Sequence, residues 1–212
     1  MISGSKIGTL LCLLTLSCWA NASAPDATDA LVAGLGRPAP AHTAFAEARF
    51  MQVLDRPLVV SGQLSWLGGD TLERHVRVPH EETARIAGGK VTQQRAGGPA
   101  RSFSLQRAPQ LQVLVDSFVA LLGGDAQRLR QAFAIARRGE ASGAWTLTLT
   151  PRDLAVARAV ASIRIDGVGH QARCMWMAEA DGDVAVDLLG ALAAKMPAEP
   201  TREALAALCG GG

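Results

Sequence analysis

Tyrosine is absent from the 212 residues, and phenylalanine and tryptophan together make up 4% of them. One common general acid is therefore missing. Lysine occurs only at Lys6, Lys90 and Lys195, and no basic block exists to follow a phosphate backbone, so nucleic acid is excluded as an expected partner. No nucleophile elbow, phosphate-binding glycine loop, H-E-x-x-H helix or dinucleotide fingerprint is present. His42, His75, His80 and His170 do not fall at metal-ligand spacing, and nothing sets a nucleophile beside Glu81 or Glu82. Catalytic residues, metal ligands and cofactors are accordingly none, and the chain reads as something other than an enzyme. Long hydrophobic runs are missing too. The apolar stretch Ile7 to Leu16 is about ten residues, against the roughly 20 needed to span a bilayer.

That short stretch is informative. Lys6 precedes it, and Ala20-Asn21-Ala22 supplies a small-residue cleavage pattern, which together read as a secretory signal peptide over residues 1–22. Cys18, following Leu14-Thr15-Leu16-Ser17, leaves open an acylated N-terminus instead. Cleavage after Ala22 leaves 23–212 as a single domain in the periplasm, long enough to bury a core. Cys174 and Cys209 survive as an even pair in an oxidising compartment, and either a disulfide or two separate thiols is compatible with the sequence.

The patterning divides into strands, a helical insertion, then more strands. Asp26 to Leu35 reads as a short capped helix. From His42, Phe45, Glu47 and Arg49 alternate with alanines, and Leu58, Val60, Gly62, Leu64 and Trp66 share one face of the next strand. Strands follow at 72–78, 83–87, 91–95 and 103–105. Pro109 opens a helix in which Leu111, Leu114, Val115, Phe118, Leu121 and Leu122 recur at helical spacing. Asp125 caps a second helix running through Leu129 and Phe133. Trp145, Leu147 and Leu149 alternate with threonines, and Asp153 caps a helical turn. Strands are expected at 160–166, 172–179 and 184–187, with Asp181-Gly182-Asp183 as a hairpin turn and helices over 188–194 and 202–208. This order predicts an antiparallel α+β or half-barrel fold rather than a parallel doubly wound sheet.

The strand and helix faces are apolar for so few aromatic residues. They either close into an ordinary core or form a trough with the long helix as lid; both bury the same side chains. In the trough reading, Leu58, Val60, Leu64, Trp66, Trp145, Leu147, Leu149 and Trp176 line it from the sheet, and Leu114, Phe118 and Leu121 cover it.

Several segments together resemble the LolA family of periplasmic lipoprotein carriers, most closely its relatives associated with aryl-polyene pigment clusters. They are Phe45-x-Glu47-x-Arg49; Arg56-Pro57-Leu58-x-x-Ser61-Gly62-x-Leu64-x-Trp66; Leu72-x-Arg74; Leu121-Leu122-Gly123-Gly124-Asp125; Trp145-x-Leu147-x-Leu149-x-Pro151; Ile163-x-Ile165-x-Gly167; and Glu179-x-Asp181-Gly182-Asp183. The resemblance implies an incomplete antiparallel β-barrel, a curved sheet with helices covering its concave face. It further implies a monomer with no cofactor that takes lipid or lipoprotein acyl chains from an inner-membrane donor to an outer-membrane acceptor. The carrier's arginine in the turn before its third strand is missing here, where Gly68-Gly69-Asp70 stands, with Arg74 farther along. A free lipid or polyene-bearing lipid is then as plausible a cargo as a lipoprotein. A different class of function, a periplasmic sensor or assembly factor using the same trough for a protein partner, also fits.

Overall fold

Eleven strands pair into one antiparallel, curved and unclosed sheet, and the order of those strands explains the rest of the architecture. The structure, a computed structural model, describes residues 26–210. Helix α1 (Ala27–Leu35) comes first, capped by the Asp26 carboxylate accepting from the Thr28 amide. Then β1 (Ala41–Phe50), β2 (Leu58–Gly68), β3 (Thr71–Val78), β4 (Glu82–Ala87), β5 (Lys90–Arg95) and β6 (Arg101–Ser104) run as a meander to one edge of the sheet. Helices α2 (Pro109–Leu122) and α3 (Ala126–Ala132) carry the chain to the opposite edge. There β7 (Phe133–Gly139), β8 (Ala144–Pro151), α4 (Leu154–Ala157), β9 (Val160–Val168), β10 (Gln171–Glu179) and β11 (Val184–Leu189) return to pair with β1. A six-residue 3-10 turn and α5 (Arg202–Cys209) close the chain. Because α2 and α3 link the two outer edges, they cross one face of the sheet, and that face is the concave one.

The two faces separate by strand parity. Phe45, Glu47 and Arg49 face the helices; Ala46 and Ala48 face away, toward Val186 and Leu188. On the outer face, Ala48, Cys174, Val186 and Leu188 pack under Leu192, Leu205 and Cys209. Cys174 and Cys209 form a disulfide there, with a Cα–Cα distance of 5.7 Å across 35 residues. It staples α5 to the back of the sheet. Replacing Cys209 by serine should lower unfolding stability by roughly 3–4 kcal/mol, from the entropy of the loop released in the unfolded chain. Urea denaturation of the exported protein checks this, and an unchanged midpoint would refute the staple.

Two segments differ from the expected elements. Phe133, expected as the end of a helix, instead opens β7, and residues 134–139, where no element is expected, continue it: Ala134, Ala136, Arg137 and Arg138 carry no strong strand signal, and pairing with β8 overrides their propensity. The helix expected over 188–194 begins later. Leu188 and Leu189 complete β11, and Gly190, at φ 59°, turns the chain into the 3-10 turn.

Gly62 is a position where the fold tolerates no side chain. A Cβ there would lie 1.9 Å from the carbonyl oxygen of His75 on β3. Gly62→Ala should force β2 and β3 apart and cost about 1–3 kcal/mol or more, read as a lowered melting temperature.

Candidate functional site

The concave face is packed unevenly, and the half-buried apolar side chains between its packed ends mark the candidate site. At one end, Leu31, Val32 and Leu35 of α1 and Leu129 of α3 close over Phe133, Trp145, Leu147, Leu149, Ile163 and Ile165. At the other end, Val115 of α2 meets Val91 and Leu105, with Leu72, Ile86 and Leu111 around them. Between these two clusters Phe45 and Val76 are buried, but other apolar side chains of the concave face are only half buried. Val60, Leu64 and Trp66 on β2 belong to neither cluster, and Met175 and Met177 on β10 are partly exposed where they border the first.

Helix α2 shows the same asymmetry. Val119 and Ala120 are buried. Leu114, Phe118 and Leu121 are half-buried where they pack against the first cluster. A helix lying on a fully packed sheet would bury its sheet-facing stripe first. Here Val115 is buried against the sheet while Leu114, Phe118 and Leu121 keep part of their surface open.

The sequence-predicted lining therefore divides. Val60, Leu64 and Trp66 lie half-buried on the concave face of β2, and Leu114, Phe118 and Leu121 lie half-buried on α2 against the first cluster. Leu58 lies on the same face but at the strand's end, 51% exposed. Trp145, Leu147 and Leu149 are at most 3% exposed and belong to the packed end beneath α1 and α3, not to the open part. Trp176 is a correction. It pairs with Val186 and packs on the outer face with the disulfide cluster, with the Arg164 guanidinium 4.3 Å from its ring centroid. Both faces of β10 are apolar, Cys174 and Trp176 on one and Met175 and Met177 on the other, so alternation alone does not say which faces the helices.

A polar group on the concave floor is not apparent from the sequence pattern. Glu47 on β1 stands directly opposite Asp187 on β11 in the strand register. Arg74 on β3 donates to Glu47 from 2.9 Å, and its guanidinium lies 4.7 Å from the Phe45 ring centroid. Arg49 pairs with Glu179 farther along, while its Nε is enclosed without a partner. Asp187 is 6% exposed, and no hydrogen bond among the described residues reaches its carboxyl group. Burial first, then the neighbouring Glu47 carboxylate, push the Asp187 carboxyl up to about 8, against the pull of Arg74. The only sequence signal for this cluster was the alternation that puts Glu47 in phase with Phe45. Its partners come from strands far apart in the chain.

Other features lie off this face. Shallow hollows occur beside α2, α3 and α4, bordered by Asp116, Arg128 and Asp153, and near Cys209, bordered by Arg138 and Asp166. Both are open and edged by charged side chains. Among the described residues no three His, Cys, Asp or Glu side chains gather as a metal-ligand set, and no helix is long and apolar enough to cross a membrane. The signal-peptide segment lies outside the described residues.

Residues 20–212 match the sequence family described as outer membrane lipoprotein carrier protein LolA-like. Among solved structures, the chain is similar to a LolA superfamily protein from Nitrosomonas europaea, at 11% identity and a TM-score of 0.42, covering 76% of this chain and 89% of that one. It is also similar to a domain assigned to outer membrane lipoprotein sorting from Vibrio parahaemolyticus, at 8% identity and a TM-score of 0.38, covering 73% of this chain and 83% of that one. At these scores neither structure carries weight for function. No curated protein matches the chain.

Proposed function

We propose a function for this chain from one premise: it belongs to the LolA-like family of outer membrane lipoprotein carrier proteins. The function is transport. The chain holds a lipid, or the acyl chains of a lipoprotein, in the trough between α2 and the sheet and moves it through the periplasm toward the outer membrane. A donor at the inner membrane and an acceptor at the outer membrane are the partners, and the carrier is a monomer with no enzymatic step.

The observation that supports this reading is that Leu114, Phe118 and Leu121 of α2 and Val60, Leu64, Met175 and Met177 of the sheet are all only half-buried; the proposed cargo site is a gap between them. Filling such a gap with a hydrocarbon chain removes apolar surface from water on both walls and on the chain, at about 25 cal/mol per Å². Opening the trough requires α2 and its flanking turns to shift, which draws Val115 and Leu105 out of one end cluster and Ala120 out of the other.

Cargo among lipoprotein, phospholipid, fatty acid and aryl-polyene lipid is resolved by mass spectrometry of organic extracts from the purified exported protein. One acyl-bearing species recovered in near-stoichiometric amount is the expected result. A lipid-free protein that also binds no acyl probe would overturn transport. Stable copurification of a membrane protein without lipid would favour a sensor or assembly factor.

A further inference from the structure

Asp187 is an anomaly within the trough. It lies on the face of β11 that looks toward the helices, since its neighbours Val186 and Leu188 pack on the opposite face. It is more than nine-tenths buried, beside Met175 on one flank and Glu47 on the other. Its neighbour Glu47 is satisfied by Arg74; Asp187 is not. Its oxygens are nonetheless not sealed in. The side-chain atoms fully enclosed without a partner among the described residues are Arg49 Nε and Trp176 Nε1. An unpaired acid at the floor of an apolar groove is costly to keep, and a fully packed core would replace it or pair it.

The charges around it set what would complete it. On this floor Arg74 serves Glu47, and Arg49 serves Glu179. One carboxyl is left over. An anionic headgroup would meet two further carboxylates there, whereas an ammonium brings both the missing positive charge and several hydrogen-bond donors. We infer that Asp187, next to the Glu47–Arg74 pair, is a polar subsite that receives the amine of an amphiphile whose hydrocarbon chain lies in the trough. This rests on the trough reading of the proposed function and adds the class of headgroup to it.

The test uses the exported, disulfide-bonded protein and three twelve-carbon probes with one chain and different heads: dodecanol, dodecylamine and dodecanoate. Each displaces a fluorescent naphthylamine dye. Dodecanol reads the trough, and the amine-to-alcohol ratio reads the subsite. In the wild-type protein, dodecylamine should bind about tenfold or more tighter than dodecanol, as expected for a hydrogen bond between charged partners. Asp187→Asn, close in shape, should abolish that preference and leave dodecanol unchanged. An equal preference in both proteins, or a parallel loss of dodecanol binding, overturns the subsite while leaving the trough standing. Failure of all three probes removes the trough and the subsite together. Carboxyl ¹³C NMR on the wild-type protein makes the result independent of how the variant folds. One aspartate that stays protonated at neutral pH should move to its ionised shift with dodecylamine and not with dodecanol. A resonance unmoved by saturating dodecylamine overturns the inference.

Discussion

Replacing Phe118 by glutamate should weaken acyl-chain binding by about tenfold or more, because a buried aromatic contact with the cargo is worth roughly 2 kcal/mol or above. The same variant should keep a cooperative melting transition. Phe118 is half buried, and it touches the packed end of the sheet only at its border. In the empty protein a glutamate there has water within reach across the gap. With an acyl chain in place the charge would be trapped against hydrocarbon. A contrasting position sharpens the result. Val115, on the same helix, is 3% exposed within the second cluster, and Val115→Glu should unfold the domain by burying an unpaired charge. Thermal melting and titration with a fluorescent fatty acid, run on both variants, separate the outcomes. If Phe118→Glu collapses the melting transition as Val115→Glu does, α2 lies on a filled core and the trough is wrong. If it folds and binds as well as wild type, Phe118 does not line the trough.

Wild-type stability should fall as pH rises from about 5 to about 9, and Asp187→Asn should remove most of that fall. The sign follows from which state holds the proton. Asp187 in the folded protein titrates at about 8, and in the unfolded chain near its ordinary 3.8. Between those values the folded state binds a proton that the unfolded state has lost, so raising the pH favours unfolding. The contribution is complete below the unfolded value and is withdrawn as pH passes the folded one. Above pH 8 the folded protein holds two facing carboxylates, Asp187 and Glu47, with Arg74 paired to Glu47. Asparagine at 187 avoids that repulsion and should make the variant more stable than wild type at pH 9, by an amount on the order of a few kcal/mol. Chemical denaturation at pH 5, 7 and 9 gives the comparison. Parallel profiles for the two proteins would show that Asp187 ionises normally.

Local pattern carried much of the strand and helix order. The alternation in 45–51, 58–66 and 145–150 and the leucine spacing of 111–122 correspond to β1, β2, β8 and α2. These segments are legible because each has one buried side, so the period of its apolar residues reports its geometry directly. The caps at Asp26, Asp125 and Asp153 are equally local, a carboxylate bonding an amide two or three residues ahead. Where a segment's own residues are neutral, as in Phe133–Gly139, the strand exists only because β8 pairs with it, and the sequence is silent.

The site divides along the same line. By itself, the sequence determined that apolar faces exist on β2 and α2 and that they come in opposed elements. Tertiary structure alone decided that α2 and α3 join the two far edges of the sheet and so span its concave side. It also decided that Trp145, Leu147 and Leu149 fall under α1 and α3, that Trp176 turns outward, and that Val60, Leu64 and Trp66 stay only half-buried. The polar floor belongs wholly to that second category. Glu47, Arg74 and Asp187 meet because β1 pairs with β11 on one side, 140 positions away for Asp187, and with β2 on the other, across which Arg74 reaches from β3. Periodicity acts over one turn or one strand pair, whereas the partner of a buried charge is chosen by sheet topology, which no local window of residues contains.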